Sequence, residues 1–535
     1  MFMSDALIAN IWLPSGEELA RLAPIWCLVG TIVAVLLGAL LVGRNWRVAG
    51  GIAFAGAVIT AFISFRQFAV APSNWSGFAP DDAAPMLIGD QFSSFFTFLI
   101  GVFLAMIVGM WFLGQDADLP ERDARRADAT EFFVLLVGSA FGMVMMVSTT
   151  NLLMIILAIE AASLPSYGLA GFRKKNKLAA EASIKYVLFG AVTSAIMIYG
   201  TSLLYGHYHT LDLAVIGREI QRQGPSVLMG VSLFAFMVGV AFKVSAVPFH
   251  FWCPDVFEGA SIEVTTWLSV VSKAAGLGLL LRIITVLTAG LESGQALQYV
   301  TMAIAIMAAL TCTWGNFSAF RQTNMKRLLA FSSIAHAGYM LMAVAIIWKP
   351  SADMTTHPAF SAIVAYISVY SLMNLGAFGI IAMVYWATGS ESIDAFNGLA
   401  RRNVLLTILM GVCLFSFVGI PPMGGFIIKW WLLAALWEGK LTWLIFVAVF
   451  NSVISLYYYA RIAVAMVFRD DGQAPVRAPL VGQVVALACA VGILLTGTLW
   501  AGNLKEFSDN RSRDLFAVTK SSATPTVAEA PSSEP

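Results

Sequence analysis

Charge is scarce in this 535-residue chain: Asp, Glu, Lys and Arg make up 12% of it, about half their share of a soluble domain. With 59% hydrophobic residues beside so little charge, the composition is that of a polytopic membrane protein. A net charge of +1 leaves no whole-chain field to attract nucleic acid or an acidic substrate. The five cysteines, Cys27, Cys253, Cys312, Cys413 and Cys489, are scattered, with no C-x-x-C pair and no histidine at ligand spacing, so they read as small buried filler rather than a metal centre. Neither a strand-borne G-x-G-x-x-G nor a G-x-x-x-x-G-K-[ST] occurs, which leaves dinucleotide and nucleoside triphosphate sites unsupported. The first twenty residues hold Asp5, Glu17 and Glu18 and no basic n-region, which argues against a cleaved signal peptide.

What the chain has instead is apolar runs long enough to cross a bilayer. Fourteen can be counted, roughly at 23–43, 48–66, 93–113, 131–148, 150–172, 182–205, 226–253, 262–284, 297–315, 327–348, 358–386, 403–431, 441–468 and 481–500. The odd-numbered loops between them carry sixteen lysines and arginines against seven on the other side, which predicts that both termini face away from the cytoplasm. The loop DADLPERDARRADATE mixes both signs and reads either as a solvated connector or as a docking surface. The residues from Asn503 to Pro535 end in SSATPTVAEAPSSEP, too poor in apolar side chains to pack a core, and are expected to be disordered.

Two stretches break the pattern of bland apolar helices. Span seven contains FKVSAVPFHFW and span twelve contains FVGIPPMGGFIIKWW, so a proline break beside a lysine occurs twice, five spans apart. Proline has no backbone N–H and interrupts a helix, and an interrupted helix at membrane depth needs protein or a polar cavity around it. Because five is odd, the two five-helix units enter the membrane from opposite sides, an inverted repeat of the kind transporters build around a binding site. The expected fold is therefore an all-α polytopic membrane protein of about fourteen transmembrane helices, with two inverted five-helix repeats (helices 4–8 and 9–13) and broken helices 7 and 12. In residue numbers the expected units are a three-helix segment with its charged loop (1–130), the repeats (131–285 and 286–470), a last helix (471–502) and the tail (503–535).

A lysine near the bilayer centre costs about 2.5 to 3.5 kcal/mol on insertion scales, so Lys243, Lys273 and Lys429 need a function or a partner. Burial disfavours an ammonium ion and a nearby carboxylate favours it, so moving the carboxylate switches an amine between holding and releasing a proton. Glu160 is the one carboxylate deep in a span of the first unit and pairs naturally with Lys243; His336 occupies the related position in the second unit. Lys185 reads either as part of the relay or as a side chain snorkelling to the interface. His250 and His336 suit water-chain bridges or hydrogen-bonded core positions. Asp255 and Glu258 read as helix caps or loop contacts, and Arg461, Trp430 and Trp431 as interfacial anchors. The bland alternative for the lysines and Glu160 is a set of structural ion pairs.

The runs EASIKYVLFGAVTSAIMIYGTSLLYG, FKVSAVPFHFWCPDVFEGA, GNFSAFRQTNMKRLLAFSSIAHAGYML and GIPPMGGFIIKWW resemble the antiporter-like membrane subunits of respiratory complex I, the bacterial NADH:quinone oxidoreductase. The resemblance covers roughly residues 90 to 470 and implies a proton half-channel in each repeat. By motif, Glu160 matches the family's helix-five glutamate, Lys185 a helix-six lysine, Lys243 the helix-seven lysine, Lys273 the central helix-eight lysine and Lys429 the helix-twelve lysine. Lysine at helix twelve and the lack of a long lateral helix favour one branch of the family over its two paralogues. The family's helix-seven loop reads close to A-P-D-V-Y-E-G-A-P; here Cys253 and Ser261 depart from it, and Glu263 is added at the start of span eight, a departure that bears on how protons reach Lys273.

The resemblance implies a proton-pumping membrane-arm subunit with no cofactor of its own and no metal. NADH, FMN, iron–sulfur clusters and quinone are then expected in partner subunits. Neighbouring antiporter-like and small membrane subunits, and the lipid of a bacterial inner membrane, are the expected partners. Two rivals remain: a subunit of a multi-chain sodium/proton antiporter or membrane-bound hydrogenase, and a passive scaffold.

Overall fold

The computed structural model describes residues 15–70, 86–116, 122–224, 226–288, 295–347, 357–469 and 474–510. Among these the fold is helical, and β-structure is limited to two isolated bridges. The spans are α1 (Ala23–Val42), α2 (Trp46–Val70), α3 (Gln91–Leu113), α4 (Ala129–Val147), α5 (Leu152–Ala170), α6 (Lys177–Tyr208), α7 (Val227–Val244, then Trp252–Gly259), α8 (Ile262–Thr288), α9 (Gln295–Ala319), α10 (Met325–Val344), α11 (Pro358–Thr388), α12 (Val404–Val418, then Gly424–Glu438), α13 (Thr442–Phe468) and α14 (Leu480–Gly497). Among the described residues, thirteen helices are long and apolar enough to cross a membrane. The remaining span is α12, whose two 15-residue halves are each too short alone.

The repeat is legible in matched local structure. Asn151 caps α5 by accepting from the backbone of Leu153 and Met154, and bridges to Asp212 beyond α6; Asn324 caps α10 by accepting from Lys326 and Arg327, and bridges to Ser392 beyond α11. The long helices α6 and α11 both stop at a left-handed residue, His209 and Gly389. The first halves of α7 and α12 also stop at left-handed residues, Ser245 and Gly419, ahead of Pro248 and of Pro421 and Pro422. Each pair is five spans apart, so the two units are inverted copies. The second half of α7 runs on to Gly259 and thus carries Asp255 and Glu258, which the sequence placed in a loop.

The charged loop between α3 and α4 is packed against the rest of the chain. Its short helix Arg122–Ala127 sends Arg125 to Glu263 at the start of α8 (2.5 Å) and Arg126 to the Gln115 carbonyl (2.9 Å), while Asp128 pairs with Lys174 (2.7 Å). The C-terminal stretch expected to be disordered begins as helix, since residues 501–510 are helical and Phe507 packs edge-on against Phe68 and Phe95. The rest of that stretch, 511–535, lies outside the described residues.

Candidate proton path

The breaks place the lysines. A helix that stops at a left-handed residue frees carbonyls in its last turn, and in both repeats a lysine lies beside such an end. Lys243 is in the last turn of the first half of α7, one residue before its end, fully buried, with Nζ donating to Ser163 Oγ on α5 (3.1 Å). Glu160 is on that same α5 face one turn away, close enough for its charge to reach Lys243, and accepts a hydrogen bond from Ser194 of α6. No direct ion pair joins Glu160 to Lys243 among the described residues, so the expected partnership runs past Ser163. In α12, Lys429 folds back on the broken end ahead of it: Nζ donates to the Phe417 (3.0 Å) and Val418 (2.9 Å) carbonyls and to Ser452 Oγ (3.1 Å), and lies 4.6 Å from the Tyr339 ring centroid. A pocket of about 300 Å³ lined by Tyr339, Phe426, Lys429 and Ser452 opens beside it.

Between these two lies α8. A five-residue π-helical segment, Leu268–Ser272, immediately precedes Lys273, and such segments widen the turn and free backbone carbonyls. One of them, the Ser269 carbonyl, faces Ser333 Oγ (3.5 Å) and Tyr370 Oη (3.4 Å), which are themselves 2.6 Å apart. Ser272 Oγ lies 3.5 Å from the Lys243 carbonyl. Lys273 is buried with Nζ 5.2 Å from the Phe257 ring centroid and no hydrogen-bond partner among the described residues. One turn beyond Ser333 on α10, His336 Nδ1 is 2.7 Å from Tyr366 Oη, and its ring packs between Tyr339 (5.9 Å) and Phe417 (5.3 Å). Glu160, Lys243, Lys273, His336 and Lys429 therefore form a candidate row across both repeats, with Ser163 bonded to Lys243, Tyr339 beside Lys429, and Ser272, Ser333 and Tyr370 around the turn that carries Lys273, whose amine none of them bonds. Only Glu160 is partly exposed.

Two expected site residues lie off the row. Lys185 pairs with Glu181 and Asp255, each at 2.7 Å, near the end of α6 and with its side chain about one-third exposed. His250 sits in the α7 break against Phe251 and Trp314, with Nδ1 unpartnered and no hydrogen bond to the row. Asp255 and Glu258 do not cap a helix: both hold Arg327 of α10, at 2.7 and 2.6 Å. Arg461 donates to the Phe320 (2.8 Å) and Gln322 carbonyls at the end of α9.

Two buried charges were missed by reading loops. Lys326, counted with the loop cations, is fully buried and donates to the Ala260 carbonyl (2.7 Å) while pairing with Glu391 (2.7 Å). Arg282, also counted there, lies inside α8 and grips both oxygens of buried Asp90 (2.9 and 2.7 Å), with Nε on the Val147 carbonyl (2.8 Å). The one available signal was position, since Arg282 is twenty residues into a membrane-spanning helix.

Comparison with known proteins places this architecture. A family model described as NADH:quinone oxidoreductase/Mrp antiporter, transmembrane, matches residues 149–455, which cover most of both repeats and the residues from Glu160 to Lys429. The chain belongs to this antiporter family. Among curated members, NADH-quinone oxidoreductase subunit N of Anaeromyxobacter sp. (strain Fw109-5) is 37% identical over 500 residues, covering 88% of this chain and 92% of the relative. Subunit N 1 of Roseiflexus castenholzii is 37% identical over 390 residues, 70% and 72% of the two chains. A chain of respiratory complex I from Thermus thermophilus superposes with a TM-score of 0.73 at 27% identity, covering 90% of this antiporter-family chain and 98% of that one. The Mrp complex from Dietzia sp. DQ12-45-1b shares the fold (TM-score 0.78, 18% identity, 94% and 99% covered). The antiporter-family membership agrees with the inverted repeat and with the two broken helices read from the sequence.

Proposed function

We propose that this chain is the N-type membrane-arm subunit of an NADH:quinone oxidoreductase and carries protons along the buried row, driven by electron transfer in partner subunits that hold the flavin, iron–sulfur clusters and quinone. The observation that carries this reading is a pair of buried lysines, one beside each broken helix, with a third on α8 and hydroxyl and imidazole groups packed in the helices between them. Structural ion pairs do not require it: Lys273 has no anionic partner among the described residues, and an unpaired buried amine is expensive unless it changes protonation state. Lys243, biased by Glu160, takes a proton from the arginine-rich, cytoplasmic face; Lys273 passes it on; Ser333, Tyr370 and His336 lead it to Lys429, which releases it to the other side. The termini then lie on the non-cytoplasmic side of a bacterial inner membrane. Lys185 anchors α6 to the second half of α7 rather than carrying protons.

The test is Lys243→Ala in the assembled complex reconstituted in vesicles. NADH oxidation by a soluble acceptor stays at the wild-type rate while protons moved per NADH fall; an unchanged ratio contradicts the assignment. The family also contains Mrp antiporters, and copurification separates the two settings, since a flavin and iron–sulfur absorbance travels with this chain in the first and not in the second.

A further inference from the structure

The two ends of α8 carry opposite constructions. At one end Asp90 is closed off, both oxygens held by Arg282 and buried. At the other, a polar cavity of about 680 Å³ lies over the first turn of α8, with Glu263 among its lining residues. Glu263 is fully buried; Oε1 is 2.5 Å from Arg125 Nη2, and Oε2 has no hydrogen-bond partner among the described residues. The charged groups around it come from every neighbouring element: Arg125 from the connector, Glu258 from α7, Lys326 from α10, and Arg173 and Glu391 from the loops on the rim.

We propose that Glu263 is a proton-holding residue that loads the helix-eight lysine from this cavity, with Arg125 on the connector as its switch. The inference rests on the proton-carrying reading above and adds a second point of uptake to it. An arginine beside a buried carboxylate keeps it ionised, and withdrawing the arginine leaves the protonated acid as the less costly state. When the connector draws Arg125 away, Oε2 accepts a proton from solvent in the cavity; when Arg125 returns, the proton leaves for the interior and the ion pair re-forms. Lys273 lies ten positions beyond Glu263, about 15 Å along the helix, and that length holds buried Thr266 and then the π segment with buried Ser269 and Ser272, where the Ser269 carbonyl meets Ser333 and Tyr370. A buried acid whose task was only to dock the connector would be served by having both oxygens satisfied, as Asp90 is.

The test compares Glu263→Gln, Glu263→Asp, Arg125→Gln and Lys273→Ala in the assembled complex in vesicles, measuring protons moved per NADH and the protonated-carboxyl band in infrared difference spectra taken across a pH step. Glu263→Gln lowers the proton ratio and removes the band, Glu263→Asp restores both, and Arg125→Gln shifts the band to higher pH. A band and ratio unchanged in Glu263→Gln overturn the inference. If Glu263→Gln does not assemble, an unshifted band in Arg125→Gln overturns it instead. Loss of pumping in Lys273→Ala with none in Glu263→Gln leaves the proposed function standing and removes only Glu263; no loss in Lys273→Ala removes both.

Discussion

The two repeats hold their lysines differently. Lys243 has a carboxylate one helical turn from its single hydroxyl partner, whereas Lys429 is held by two carbonyls and a hydroxyl with an aromatic face beneath it and a pocket alongside. Where the first unit has Glu160, the second has His336 bonded to Tyr366. An inverted duplication has thus kept the helix breaks and changed the acid. The difference teaches a division of labour: an amine biased by a movable anion suits capture, and an amine cradled by neutral dipoles beside a pocket suits release.

The comparison breaks most sharply at the lysines themselves. Replacing Lys429 by Met abolishes proton transfer through this chain, because no other amine among the described residues bonds the α12 break, and reconstituted vesicles report it as a lower proton ratio with acceptor-linked NADH oxidation intact. Next in size is the acid: Glu160→Gln lowers the ratio, while His336→Gln, which keeps a polar group beside Tyr366, lowers it less. Equal losses would erase the distinction between capture and release. The hydroxyls rank below these. Ser163→Ala removes the one hydrogen bond to Lys243, worth about 1.5 to 3 kcal/mol for a charged donor, whereas Ser452→Ala leaves Lys429 its two carbonyls, so the rate falls more in the first variant.

Smaller still are the turns that end the first halves. Gly419 has φ +87°, and a Cβ there would meet Lys429 Cδ at 2.9 Å, so Gly419→Ala costs about 1 kcal/mol or more in thermal stability and also displaces the lysine. Ser245 adopts the same left-handed turn with φ +64°, and Ser245→Gly gains about 1 kcal/mol. Smallest is Lys185→Met: its partly exposed pairs are worth about 0 to 1 kcal/mol, and pumping stays near wild type.

The helices, their breaks and the three central lysines were legible because each leaves a one-dimensional mark: a long apolar run, a proline within it, a cation where none belongs. Lys326 and Arg282 were not, because a count of loop cations registers distance from a span end and cannot tell a side chain that reaches solvent from one that folds back onto Ala260 or Asp90. The serines and tyrosines that join the row were silent for a different reason. Hydroxyls are common in membrane helices, where they bond to their own backbone, and only packing shows that Ser333 meets Tyr370 while Ser371 turns to Ile367. Neither reading of the connector, solvated or docking, foresaw its packing onto this same chain, because its arginines look solvated until Glu263 and Gln115 appear beneath them.

The central claim is that one continuous row serves both repeats, and Lys273 is its only crossing. Proton movement per NADH in vesicles carrying Lys273→Ala tests it most directly. The account predicts a ratio as low as in Lys243→Ala, with no further fall when the two changes are combined; additive losses, or a wild-type ratio, would contradict it.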